Sequence, residues 1–239
     1  RSLRCNQRNN RINFSYPGIG RVAALILIPD LKLEISSQLL VITSDKPLKT
    51  LSSGVIGGGF GTHQAILNLH VDKNYQNQNP ELDLLEAAEE AGVKGSFIGL
   101  MTAVFLDQAQ VSIQNSPDCS LAAVVTAGTG NISSPGITKP VESQPGTINI
   151  ILIFDRNLSQ AAMVNAVITA TEVKTDLIIN SGLTLPAGEP ATGTSTDSIV
   201  IASLQKGDPI RYSGPATKPG WLIGQALRDT LGNVINENN

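Results

Sequence analysis

The run TINIILIF over residues 147–154 is almost continuously apolar and β-branched, the pattern of a strand buried on both faces. The same pattern, less pure, predicts strands over 12–16, 22–28, 97–106, 109–114 and 121–126. Residues 31–43, LKLEISSQLLVIT, mix alternation with β-branched side chains, as a half-buried hairpin does, and Pro29-Asp30 marks a turn before them. Ala65–Val71 reads as a further strand, with Asn68 and His70 interrupting its apolar stretch. Within 191–203, SIVIA reads as a buried strand.

Three segments carry the helical period instead. Asn79-Pro80 sets a helix start, Leu84, Leu85, Ala88 and Ala91 form its inward stripe, and Gly92 ends it. Its acids Glu86, Glu89 and Glu90 read as a solvated face. The longest helix is expected over about 158–179, with Met163, Ala166, Val167, Ala170, Val173 and Leu177 recurring at helical spacing and Asn180-Ser181-Gly182 closing it. The last begins near Pro219, turns Trp221, Leu222, Ala226 and Leu227 inward, and stops at Gly232. Polar residues 72–79 and the Ser/Pro/Gly-rich stretch 132–146 read as turn and loop. No repeat and no shift in composition divides the chain. The expectation is a single α+β domain over residues 1–239: a layered, mixed, largely antiparallel β-sheet with about three long helices. Residues 1–11 are expected as a flexible basic tail.

Composition narrows the function classes. Of 239 residues, 41% are hydrophobic, 15% charged and 4% aromatic, with a formal net charge of −3. That is too apolar for disorder, and it lacks the basic excess and aromatic platforms of a nucleic-acid binder. No apolar run reaches membrane-spanning length. Arg1, Arg4, Arg8 and Arg11 are followed by polar residues rather than the apolar core of a secretion signal. A cytoplasmic protein with no membrane or nucleic-acid partner is expected; homo-oligomerisation stays open. Cys5 and Cys119 are expected as reduced thiols. With His63 and His70 they match no zinc spacing, so no metal site is expected, although a carboxylate site for magnesium or calcium stays open.

Three turns rich in glycine and hydroxyls sit at strand ends: SSGVIGGGFG at 52–61, TAGTGN at 126–131 and ATGTSTDS at 191–198. Bare backbone N–H groups there can form an anion nest or an oxyanion hole, or can simply pack tightly. Phosphate loops fail on inspection: Gly59 is followed by Phe60 where a Walker motif needs Lys, and the last glycine of GxGxxG is Thr62. ATGTSTDS is the densest in chemistry. A hydroxyl nucleophile at Ser195 or Thr194 needs a base, and Asp197, Glu172 or Lys174 could be base or orienter. His63 follows the first turn and is a further acid/base candidate. The alternative for 191–198 is a set of side-chain-capped turns.

Read in order, SSGVIGGGFG, GLMTA at 99–103, TAGTGN, GTINIIL at 146–152, ATEVKTDL at 170–177, ATGTSTDSIVIA at 191–202 and YSGPATKPGWLIG at 212–224 resemble the adenosylcobinamide amidohydrolase family. The resemblance runs from about residue 20 to 230. Pro219 stands where the family often has Leu, and Val173 where it often has Ala. The resemblance implies hydrolysis of the amide that joins aminopropanol to a corrin propionate, giving adenosylcobyric acid in corrinoid salvage. It implies no resident cofactor, the cobalt corrinoid being the substrate, and the cobalamin-ligating pattern DxHxxG is absent. Motif position and chemistry together select Ser195, Thr194, Asp197, Glu172, Lys174 and His63 as catalytic candidates. They select Gly57, Gly58, Gly59, Thr126, Gly128, Asn131, Asn149 and Thr196 as substrate-binding candidates. Residues 72–79 and 132–145 carry no recognisable motif and could set substrate preference. Other readings stay open: a corrinoid carrier without hydrolysis, or an amidohydrolase acting on a related complete corrinoid.

Overall fold

The computed structural model describes residues 11–12, 23–140 and 147–237. Residues 1–10 of the expected tail over 1–11, most of the expected strand over 12–16 and residues 141–146 of the expected loop lie outside the described residues, while Arg11, expected in the tail, is strand. The elements in order are β1 (Arg11–Ile12), β2 (Ala23–Ile26), β3 (Leu31–Ile35), β4 (Leu39–Ser52), β5 (Gly59–His70), α1 (Pro80–Glu90), β6 (Phe97–Thr102) and β7 (Gln110–Asn115). There follow β8 (Ser120–Ala127), β9 (Ile132–Ser133), β10 (Ile148–Phe154), α2 (Gln160–Asn180), β11 (Gly193–Thr194), β12 (Ser198–Ser203) and α3 (Lys218–Glu237). The fold is α+β, with three long helices on a mixed, largely antiparallel sheet.

The sheet runs β1-β7-β8-β10-β12-β4-β3-β2, with β5 on the other side of β4 and β6 beyond β5. Only the β10–β12 and β5–β6 pairs are parallel. β4 makes the sheet curl. It is 14 residues long, and its ladder with β5 shifts register between Thr43 and Leu48. Pro47 sits in that bulge, where a missing N–H breaks no ladder bond. The first half of β4 therefore pairs with β3 and the second half with β12.

Alternation then sorts side chains into three apolar groups. On β10, Ile151 and Ile153 face inside the curl, where they join Leu33, Leu48, Ile66, Ile98 and Val124. Ile150, Leu152 and Phe154 face outward and are covered by α2 and α3. A smaller cluster places Leu84 and Ala88 of α1 on Leu67 and Phe97.

Several expectations change. The strand expected at Ala65 starts at Gly59, because the second half of β4 holds the glycines in its ladder. Residues 97–106 stop being strand at Thr102. Asn79 sits at the start of α1 but makes no side-chain cap. Leu85 and Trp221, expected inward, are 50% and 64% exposed. α3 runs through Gly232 to Glu237: this glycine does not hold a left-handed φ, and the helix continues past it with Val234 and Ile235 buried. No helix among the described residues is long and apolar enough to cross a membrane.

Candidate active site

The three glycine and hydroxyl turns share one rim of the sheet. β4 ends at Ser52, β8 ends at Ala127, and β5, β10 and β12 begin at Gly59, Ile148 and Ser198. The second and third turns are joined by the β9–β11 ladder, which sets Ile132 opposite Thr194. Asn131 Nδ2 donates to Ser195 Oγ at 2.8 Å and to Thr196 Oγ1 at 3.4 Å. The first turn is tied in where Ser53 N donates to Ile199 O at 3.1 Å and Ile199 N donates to Ser53 Oγ at 3.0 Å.

Asp197 is the charged centre of this rim. Its carboxylate accepts from Lys174 Nζ, from the Thr194 hydroxyl, from Thr194 N at 3.2 Å and from Ile148 N at 3.4 Å. The Lys174 and Asp197 side chains keep only 11% and 17% exposure, so each charge depends on the other. Lys174 reaches the site because α2 docks well. Ser159 Oγ caps the helix by accepting from Ala162 N at 3.1 Å, and Ala166, Ala170, Lys174 and Ile178 lie on one buried stripe. Lys174 is the charged residue among the buried positions of that helix. Gly193 lies directly under the ion pair, where a Cβ would fall 2.5 Å from Asp197 Oδ2 and 2.6 Å from Lys174 Nζ.

A buried polar chain leads from Asp197 into the curl. The Thr147 hydroxyl reaches the Thr196 carbonyl and, at 3.3 Å, Asn149 Oδ1. Asn149 Nδ2 donates to Asn68 Oδ1 at 3.0 Å and to Met101 O at 2.9 Å. Asn68 Nδ2 donates to Thr126 Oγ1 at 3.0 Å. Asn68, Thr126 and Asn149 are each about 1% exposed, so they support the site from beneath.

A cleft of about 590 Å³ opens over this chain. One wall carries the hydroxyls of Thr147, Thr196 and Ser198, and the other is the segment Tyr75–Gln78. Val55, Leu100 and Met101 supply apolar surface. A second cleft of about 600 Å³ lies between α1 and the outer face of β4 and β5, away from these hydroxyls.

The remaining candidates are distributed as follows. Ser195 is exposed and its hydroxyl is engaged by Asn131 rather than by Asp197. Glu172 is exposed, because two residues on a helix point roughly 200° apart and Lys174 takes the inward direction. His63 is 9% exposed, bonds Thr50 Oγ1 through Nδ1 at 2.8 Å, and is held below the usual imidazole range by burial. Gly57 and Gly61 accommodate its ring: a Cβ at Gly57 would lie 2.9 Å from Nε2 and one at Gly61 2.4 Å from Cε1. Gly57 and Gly59 hold left-handed φ of 73° and 84°, and of that turn it is Val55 that lines the cleft. A Cβ at Gly128 would fall 2.9 Å from Val104 Cγ2, so this glycine serves close packing. Buried Cys119 has its thiol pushed up to about 12, chiefly by burial, which makes it inert at neutral pH; Cys5 lies outside the described residues.

Sequence reasoning did not select Thr147 or Ser198 as site residues, and it named the wall only as part of 72–79, a segment that could set substrate preference. Thr147 and Ser198 lie inside quoted motifs, so only their direction was missing. For 72–79 the one signal was the absence of a motif.

The sequence profile described as adenosylcobinamide amidohydrolase matches residues 27–239. A protein of Methanosarcina mazei named adenosylcobinamide amidohydrolase is 30% identical over 202 residues, covering 81% of this chain and 92% of that protein. An uncharacterized protein of Methanocaldococcus jannaschii is 30% identical over 185 residues, 68% of this chain and 69% of its own length. A Halobacterium salinarum protein, also named adenosylcobinamide amidohydrolase, is 31% identical over 118 residues, 45% of this chain and 48% of its own.

Proposed function

The chain belongs to the adenosylcobinamide amidohydrolase family and is an amide-hydrolysing enzyme, and on that premise we propose that it cleaves the aminopropanol amide of adenosylcobinamide. The products are adenosylcobyric acid and aminopropanol, a step of corrinoid salvage. The cobalt corrinoid is substrate, not a resident cofactor. The observation that carries the reading is Asp197, one carboxylate taking both the Thr194 hydroxyl and the Lys174 ammonium; these three do not line the cleft themselves but sit beside Thr196 and Ser198, which do.

Amide hydrolysis needs a nucleophile, a proton acceptor and an acid for the leaving amine. Thr194 Oγ1 attacks the amide carbonyl while its proton passes to Asp197. The proton is then given to the departing aminopropanol nitrogen as the C–N bond breaks, leaving an ester on Thr194. Water, deprotonated by the same carboxylate, hydrolyses that ester and restores the hydroxyl. Lys174 fixes the carboxylate throughout, and the Thr196 and Ser198 hydroxyls are cleft-wall donors for the amide oxygen. A cleft of about 590 Å³ takes one edge of the macrocycle with its side chain.

Incubation with adenosylcobinamide and quantification of aminopropanol tests the reading. Release should be stoichiometric with substrate consumed, whereas binding without release would identify a carrier instead. Thr194→Val should abolish turnover, Thr194→Ser should keep part of it, and Ser195→Ala should stay within a few fold of wild type. Loss in Ser195→Ala with retention in Thr194→Val would move the nucleophile to Ser195.

A further inference from the structure

The cleft contains no charged side chain among its described lining residues. Its outer wall is instead a strap whose shape is fixed from α1. Asp83 accepts from Tyr75 Oη at 2.5 Å and from Asn77 Nδ2 at 3.0 Å, and its carboxyl is held below the usual range chiefly by the tyrosine bond. Asn79 N closes the turn on Asn77 Oδ1 at 3.0 Å. The Asn77 amide is therefore used within the strap. The amides of its neighbours Gln76 and Gln78 are exposed, line the cleft, and make no hydrogen bond among the described residues.

A primary carboxamide presents one acceptor and two donors in a plane, so another carboxamide is its matched partner. A carboxylate only accepts. It can take the glutamine N–H groups but leaves the glutamine carbonyls without a donor, and it would enter a cleft without charged side chains at a desolvation cost. We propose that Gln76 and Gln78 recognise the neutral carboxamide side chains around the corrin rim and reject ring carboxylates, with Asp83 as the positioning residue that holds the strap. This rests on the corrinoid reading above and adds the residues that read the rim of the ring.

Binding measured by equilibrium dialysis tests the proposal, using two probes: a corrinoid with all peripheral carboxamides present, and the same ring with free carboxylic acids. Wild type should prefer the amide probe by about tenfold or more, the worth of one or two hydrogen bonds. Gln76→Ala/Gln78→Ala should lose most of that preference and should raise KM for adenosylcobinamide with kcat little changed. Asp83→Ala should shift KM in the same way, and Asp83→Asn, which keeps one carbonyl to accept from Tyr75, should shift it less. Equal affinity for the two probes in wild type, or an unchanged preference in the double variant, overturns the proposal. Preference for the amide probe without aminopropanol release would leave the recognition standing and remove the hydrolase reading. Binding of neither probe would remove both.

Discussion

Gly193→Ala is the sharpest perturbation of the charged centre, because it displaces that centre without removing any of its functional groups. The added methyl would lie 2.5 Å from Asp197 Oδ2 and 2.6 Å from Lys174 Nζ. Ordinary contact for such atoms is about 3.5 Å, so the pair must yield by roughly 1 Å. Gly193 does not hold a left-handed φ, so alanine is tolerated by the backbone itself. Overpacking of this kind costs about 1–3 kcal/mol of stability, and here the lower end is expected since the lysine tip can swing away. Catalysis has no such latitude: a misplacement of about 1 Å costs on the order of 100-fold, about 2.7 kcal/mol in the barrier. The assay is kcat/KM by aminopropanol release beside a thermal melt. A fall of about 100-fold with a Tm lowered by a few degrees is expected. Gly130→Ala is the matched control, since its added methyl meets nothing within 4 Å and activity should stay at wild type. Wild-type kcat/KM in Gly193→Ala would refute the role given to the Lys174–Asp197 pair.

Two further outcomes follow from the network and the rim. Asn149→Leu strips Asn68 Oδ1 and the Met101 carbonyl of their donors; leaving two buried acceptors unsatisfied should lower unfolding free energy by about 2–6 kcal/mol, read by urea denaturation. His63 is held below its ordinary range by burial, so it stays neutral when folded while the unfolded chain begins to protonate near pH 6.5. Its contribution is therefore present above that pH and is lost as pH falls toward the folded value. Melts from pH 7.5 to 5.5 should show a decline that His63→Gln flattens, and a parallel decline in both proteins would count against this assignment.

Much of the scaffold was legible because local pattern and tertiary fate agreed. β10, α2 and the turn at Gly92 fall where periodicity and capping put them, and Asp30 turns with a positive φ of 77° just where Pro29-Asp30 predicts. The misreadings mark places where distant neighbours decide. Glycines at 59 and 61 become strand only because β4 pairs with them. Trp221 looked like core by size, yet its position on α3 turns it outward. In the site, motif order placed Thr194 and Asp197 close together, but their link to Lys174 depends on α2 packing against the sheet. One signal for it was available: Lys174 stands four residues after Ala170 and four before Ile178, a charge on an apolar stripe. The same spacing excludes Glu172 from that face. The cleft wall at 75–78 showed only as part of a segment without a motif that could set substrate preference, because what it faces is decided by tertiary placement.

The most direct test of the account is single-turnover release of aminopropanol from adenosylcobinamide by wild type and by Asp197→Asn, with corrinoid binding measured on the same samples. Wild type should release one equivalent of the amine, with the corrinoid acid following as the Thr194 ester is hydrolysed. The variant should bind corrinoid yet turn over about 10²–10⁴-fold more slowly, the range a positioned proton acceptor supplies. Equal rates in the two proteins would contradict the assignment of the chemistry to Thr194, Asp197 and Lys174.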